Sequence, residues 1–203
     1  MSKPDWNTRY AQADFLFGTA PNEFLRREAH RLPPASRVLC VADGEGRNGI
    51  WLAAQGHHVT SFDASSVAVE KARAWAQSRH VAIDARLSGV DEWDWAKDAF
   101  DAVVGIFVQF ADPAMRRRLF AGIWRSLKPG GLLLVEGYTP KQLDHGTGGP
   151  RDLAHLYTEA MMRDLLPEAE FLLLRSYEAE IEEGPAHSGL SALLDLVARR
   201  PAA

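Results

Sequence analysis

The chain of 203 residues has a single cysteine, Cys40. That excludes an intramolecular disulfide and any metal site built from paired thiolates, and a reducing compartment suits it. Surplus positive charge is missing too. The formal net charge is −4, and the densest basic run is Arg116-Arg117-Arg118. A partner recognised through its phosphate backbone calls for more than that, so no nucleic-acid partner is expected. Three adjacent arginines on a helix cannot share one face, so the run reads as solvated. No apolar run approaches the length that crosses a bilayer, so no membrane partner is expected. The first residues carry no apolar stretch of signal-peptide type, which makes the cytoplasm the expected compartment. The histidines show neither HxxxH nor CxxC-type spacing, so no metal is expected, and no G-x-S-x-G elbow marks a hydrolase nucleophile.

What is present is an alternation of short apolar runs with helical stretches, the pattern of a parallel sheet covered on both faces. Strand-like runs fall at 37–42, 58–62, 81–87, 100–107 and 132–135, with helices between them. Residues 137–151, rich in glycine, read as a loop over the strand ends, and 152–165 as a helix. The runs 171–181 and 190–198 are joined by Glu182-Glu183-Gly184-Pro185 with no room for a helix, so they should pair antiparallel. The expected architecture is one α/β domain over residues 1–203, a doubly wound mixed sheet. Residues 1–30 form an N-terminal helical lid and 35–203 the core. A monomer or weak homodimer is expected, since the apolar last strand is a candidate edge.

The chemistry concentrates after the first strand. Asp43-Gly44-Glu45-Gly46-Arg47-Asn48-Gly49 supplies glycines for a tight bend and brings the next helix's N-terminal N–H groups toward a ligand. Asp63 ends the next strand, 19 residues after Gly44, where a carboxylate can accept from both hydroxyls of a ribose. An adenosine-bearing ligand at the strand C-termini follows. Gly44, Gly46 and Gly49 also spell G-x-G-x-x-G, which keeps a NAD(P)-dependent oxidoreductase open as an alternative. So does a non-catalytic protein that only binds the cofactor. Glu136 and Tyr138 end the fifth strand, either facing the ligand crevice or as a solvated terminus. His145, His155 and His187 lie in or near the loops above it.

These motifs resemble the class I S-adenosylmethionine-dependent methyltransferases, and more narrowly the small bacterial branch related to tellurite-resistance methyltransferases. The resemblance rests on Asp43-Gly44-Glu45-Gly46-Arg47-Asn48, Phe62-Asp63-Ala64-Ser65 and Leu127-Lys128-Pro129-Gly130-Gly131. Trp6-Asn7-x-Arg9-Tyr10, Phe17-Gly18-Thr19-x-Pro21-Asn22, Thr147-Gly148-Gly149-Pro150 and Glu183-Gly184-x-x-His187-x-Gly189 extend it over nearly the whole chain. It implies a seven-stranded Rossmann-like sheet with an antiparallel last strand, and S-adenosylmethionine as cofactor with S-adenosylhomocysteine as product. The implied activity is methyl transfer to a small-molecule acceptor. The implied cofactor contacts are Asp43, Gly44, Glu45, Gly46, Arg47 and Asn48 beneath the methionine part, and Asp63, Ala64 and Ser65 at the ribose. Gly89 and Val90 would line the adenine, with Gly105, Ile106 and Phe107 beneath the sulfonium. Arg9 would pair with the cofactor carboxylate from a lid whose Tyr10 or Phe17 faces the sulfonium. The chain departs from its relatives at Cys40, often an acid, at Ala42, often glycine, and at Gly89, often an acid that bonds the adenine amino group.

Overall fold

The computed structural model describes residues 5–11, 14–184 and 187–202. Pro185 of the expected hairpin turn, and residues 1–4, 12 and 13 of the expected lid, lie outside them. The chain runs α1 (Trp6–Tyr10), α2 (Glu23–Glu28), β1 (Arg37–Val41), α3 (Arg47–Ala54), β2 (His58–Asp63) and α4 (Ser66–Ser78). It continues through β3 (Ile83–Leu87), β4 (Phe100–Ile106), α5 (Pro113–Ser126), β5 (Leu127–Tyr138) and α6 (Gln142–His145), and ends with α7 (Glu159–Leu165), β6 (Glu170–Glu182) and β7 (Ser188–Arg199). The strands form one seven-stranded sheet in the order β3-β2-β1-β4-β5-β7-β6. β1 to β5 pair in parallel, and β7 is antiparallel to both β5 and β6. This is the doubly wound mixed sheet read from the sequence.

Period-2 alternation assigns the two faces. Leu39, Val41, Val103, Leu133 and Val135 pack with Leu119, Phe120 and Ile123 of α5 on one side. Val38, Cys40, Val104, Leu132 and Leu134 pack with Phe24, Leu25 and Leu52 on the other. Strand order reverses between β1 and β4, and open α/β sheets bind ligands outside the strand C-termini at such a point. Asp112 sets where α5 starts: its carboxylate accepts from the N–H groups of Ala114 and Met115, both at 2.9 Å, and Pro113 takes the first turn. Among the described residues no helix is long and apolar enough to cross a membrane.

Five expectations need correction. The apolar last strand is not an edge, since β7 lies between β5 and β6. β5 extends well beyond 132–135, through Gly137 and Tyr138, because β7 pairs with it as far as Tyr138↔Leu193. The expected loop 137–151 is therefore strand at its start and also contains α6. The single helix over 152–165 is two pieces, a 3-10 turn at Leu153–His155 and α7. Asp152 caps the first and Thr158 caps the second. Between them Tyr157 N–H bonds to the Tyr138 carbonyl at 2.9 Å, which holds that stretch extended against β5. Arg116 is not solvated: it is buried, donates to the Ala154 carbonyl at 2.8 Å and lies over the Tyr157 ring.

That contact leaves no slack at Gly137, where a Cβ would lie 2.7 Å from the Tyr157 ring and 3.0 Å from the Gln109 carboxamide. Gly137→Ala is expected to destabilise the protein by about 1–3 kcal/mol in urea unfolding. An unchanged midpoint would show that the ring moves aside freely.

Candidate functional site at the strand C-termini

The turn after β1 is built from left-handed backbone: Ala42, Gly44 and Gly46 have φ of 47°, 57° and 88°. Glycine adopts this region without penalty, whereas Ala42 is strained by roughly 1–2 kcal/mol. Asp63 clamps the turn. Its Oδ2 accepts from Gly44 N–H at 3.0 Å and its Oδ1 from Ser65 N–H at 2.8 Å. Burial raises its pKa, and the backbone bonds from Ser65, Gly44 and Ala64 oppose that shift. Ser65 in turn caps α4, accepting from Ala68 N–H at 3.2 Å, while Ala64 is exposed beside it. Asp43 folds back to accept from Gly49 N–H at 3.0 Å, and burial pushes its carboxyl up to about 7.

The N-terminal segment lies over this turn. Asp5 caps α1, and Tyr10 at its end is buried, its hydroxyl 2.6 Å from where a Cβ on Gly44 would sit. Tyr10 stacks with Trp6 and meets Phe17 edge-on. Arg9 is half-buried with its guanidinium over the Trp6 ring at 4.7 Å. Residues of the glycine-rich motif fasten the segment down. Glu45 accepts from Leu16 N–H at 2.8 Å and pairs with Lys71, and Asn48 accepts from Asn22 N–H at 2.9 Å. Glu45 and Asn48 thus turn their side chains to the N-terminal segment, while Gly44 and Gly46 present backbone.

At the end of β4, Gly105 is buried and Ile106 half-buried, and Phe107 takes a left-handed φ of 53°. Phe107 N–H donates to the Glu136 carbonyl at 2.8 Å, and its ring stacks on Tyr138 at 4.8 Å. Near β3, Val90 is buried, and the Glu92 carboxylate folds back against Gly89, where a Cβ would collide with it. Sequence reading noted the acid missing at Gly89 and overlooked this one three positions on.

Sequence reading also overlooked a buried polar network. Asn22 Nδ2 donates to Glu136 at 2.5 Å and to Glu183 at 2.9 Å. Glu183 pairs with Arg47 at 2.6 Å. Across β5–β7, Glu136 faces Asp195, which is held by Arg27 at 3.0 Å, Arg175 at 2.9 Å and the Tyr177 hydroxyl at 3.1 Å. Glu136 and Tyr138 are both buried, so the solvated-terminus reading of β5 is set aside. Burial, then Glu183 and Asp195, push the Glu136 carboxyl well above its ordinary range. A cavity of about 490 Å³ opens beside this network, between residues 17–27 and β6. Of the three loop histidines, His145 bonds to Glu178 and His155 to the Gln109 carbonyl. His187 alone is buried with Phe17, Phe107 and Tyr138.

Residues 38–131 match the methyltransferase domain family. Glycine N-methyltransferase of Rattus norvegicus is 32% identical over 117 residues, covering 49% of this chain and 39% of that protein. Thiopurine S-methyltransferase of Bordetella petrii is 30% identical over 139 residues, covering 60% of this chain and 64% of that protein. The chain thus spans less than two thirds of the length of either relative. A solved structure of TehB from Haemophilus influenzae superposes with a TM-score of 0.72 at 16% identity, covering 98% of this chain and 66% of that one. At that identity the likeness is one of fold.

The Asp43 carboxyl gives a direct test of the turn. Its folded pKa of about 7 stands above the ordinary 3.8, so the folded state holds the proton more tightly than the unfolded chain. Its contribution to stability is full below about pH 4 and fades as pH rises to 7. Asp43→Asn keeps an acceptor for Gly49 and removes the titration. In urea unfolding, wild type should lose stability relative to this variant between pH 4 and 7. Parallel pH profiles would place the Asp43 carboxyl in solvent.

Proposed function

We propose, from the premise that residues 38–131 belong to the methyltransferase domain family within a class I fold, that this protein is an S-adenosylmethionine-dependent methyltransferase acting on a small-molecule acceptor. The observation that carries this reading is the Asp63 carboxylate, fixed at the C-terminal end of β2 by Gly44 and Ser65 N–H beside a turn of left-handed backbone.

The residues fit the cofactor. The Asp63 carboxylate has about four lone-pair sites and accepts backbone bonds from Gly44, Ser65 and Ala64, so acceptor capacity remains for a ribose hydroxyl. Tyr10 fills the space over Gly44 in this conformation, so the methionine part would enter once the N-terminal segment moves, next to Asp43 and the start of α3 with Arg47 and Asn48. Gly89 and Val90 line the adenine, and the nearby Glu92 carboxylate can accept from its amino group. Gly105, Ile106 and Phe107 lie beneath the sulfonium. Phe107 and Tyr10 offer ring faces to a cation, and Arg9 is near enough to the turn to meet a carboxylate.

When bound, S-adenosylmethionine supplies a methyl carbon that is electrophilic without further activation. The protein's work is alignment and exclusion of water. The site must hold the acceptor lone pair in line with the departing sulfur, about 3 Å from the methyl carbon. Tyr10 and Phe17 cover the turn in this conformation, so the N-terminal segment opens for exchange and closes for reaction. The net charge of −4 and the cavity beside β6 favour a metabolite over a nucleic acid as acceptor.

Isothermal titration with S-adenosylhomocysteine tests this reading. Asp63→Ala should weaken binding about 10- to 100-fold, as expected for hydrogen bonds to a charged acceptor. Arg9→Ala should weaken it about tenfold. Tight NAD binding with no response to S-adenosylhomocysteine would replace the reading with a dinucleotide enzyme.

A further inference from the structure

Among the described residues, three buried polar atoms around the ends of β4 and β5 have no hydrogen-bond partner: Nδ1 of His187, the hydroxyl of Tyr138 and Nη1 of Arg47. Buried polar groups are rarely left so. The Ser191 hydroxyl near Tyr138 is already given to the Gly189 carbonyl at 3.1 Å. The His187 ring lies 5.6 Å from Tyr138, 4.3 Å from Phe107 and 4.7 Å from Phe17. Arg47 is paired with Glu183 at 2.6 Å, so that pair is neutral as a whole. Arg47, Glu183 and Phe17 also line the cavity of about 490 Å³ between residues 17–27 and β6. Phe17 therefore stands between the cavity and His187, and its movement with the N-terminal segment would open the His187–Tyr138 pair to a ligand.

We infer that the methyl acceptor is a primary amine with an apolar body, and that His187 and Tyr138 hold its nitrogen. This rests on the methyltransferase reading above. The count of hydrogen-bonding atoms gives the chemical class. The Tyr138 oxygen can accept, and so can His187 Nδ1 in the Nε2–H tautomer. A primary amine brings two N–H groups to these two fixed acceptors. A thiol or a hydroxyl brings one hydrogen and leaves the other acceptor buried and unsatisfied. With both N–H groups held, the nitrogen lone pair points in a third, fixed direction, which is the orientation in-line transfer needs. Nη1 of Arg47, which can only donate, would take an oxygen on the acceptor's body.

The rings give the same answer. Phe17, Phe107 and Tyr138 surround His187, and aromatic rings stabilise a cation. An ammonium leaves its extra proton with water on entry. In the transfer the amine lone pair forms the bond to the methyl carbon, the carbon–sulfonium bond breaks, and its electron pair stays on the departing sulfur. The positive charge passes from sulfur to nitrogen and never leaves the ring cluster, and the N-methylammonium departs as a cation. The cavity walls include Phe17, Phe24, Tyr177, Ile181 and Leu193, which suit an apolar body behind the nitrogen.

Benzylamine, benzyl alcohol and benzyl mercaptan differ only in the accepting group and serve as probes with radiolabelled S-adenosylmethionine. For wild type, kcat/KM with benzylamine should exceed that with either other probe at least about tenfold, as a site built for N–H groups implies. Tyr138→Phe and His187→Ala should each lower kcat/KM for benzylamine about tenfold, the loss of one hydrogen bond to a buried group. In calorimetry on protein saturated with S-adenosylhomocysteine, the same variants should weaken benzylamine binding by a similar factor. His187→Asn, whose amide oxygen can stand in for Nδ1, should recover part of both losses. It also keeps the test open if the alanine variant fails to fold. Equal or faster methylation of the mercaptan or the alcohol, no effect at His187 and Tyr138, no recovery with asparagine, or turnover of no probe by a protein that binds S-adenosylhomocysteine would overturn the inference. Failure of wild type to bind S-adenosylhomocysteine would instead overturn the methyltransferase reading.

Discussion

Asp63 occupies the junction of two turns. One carboxylate oxygen holds Gly44 N–H and the other holds Ser65 N–H, so the bend after β1 and the bend after β2 are fixed to each other through a single buried side chain. Ser65 then caps α4, and the Gly44–Gly46 backbone leads directly into α3. The starts of two helices and the floor of the crevice therefore share one anchor. A buried carboxylate is tolerable only because backbone N–H groups satisfy it. Those same bonds leave it aimed at the place where the strand order reverses.

A second set of buried charges joins the N-terminal segment to the far half of the sheet. Asn22 bridges Glu136 of β5 and Glu183 beyond β6, and Arg47 of α3 closes the chain. The N-terminal segment is held by the glycine-rich motif itself, through Glu45 and Asn48. The motif thus has two jobs: its backbone shapes the crevice and its side chains hold what covers it. A buried ionic network of this kind adds little net stability, but loss of one partner leaves the others uncompensated.

Local signals made much of this legible. The apolar runs gave the strands, the missing space between 171–181 and 190–198 gave the antiparallel pair, and Gly44, Gly46 and Asp63 marked the crevice at fixed offsets. What escaped notice depends on contacts distant in sequence. Asn22 and Glu136 are separated by 114 positions and Asn22 and Glu183 by 161, so no spacing rule joins them. Two N-caps, Asp152 and Thr158, lie within one helical-looking run, and only the bond from Tyr157 to Tyr138 shows that the chain breaks there. Arg116 looks like its neighbours in sequence, yet Tyr157 and the Ala154 carbonyl take it inside.

A crystal structure with S-adenosylhomocysteine bound addresses the central claim most directly. Both ribose hydroxyls should lie about 3 Å from the Asp63 carboxylate, with the thioether sulfur above Phe107. Product bound elsewhere, with the space above Gly44 still filled by Tyr10 and Asp63 contacting only backbone, would contradict the account.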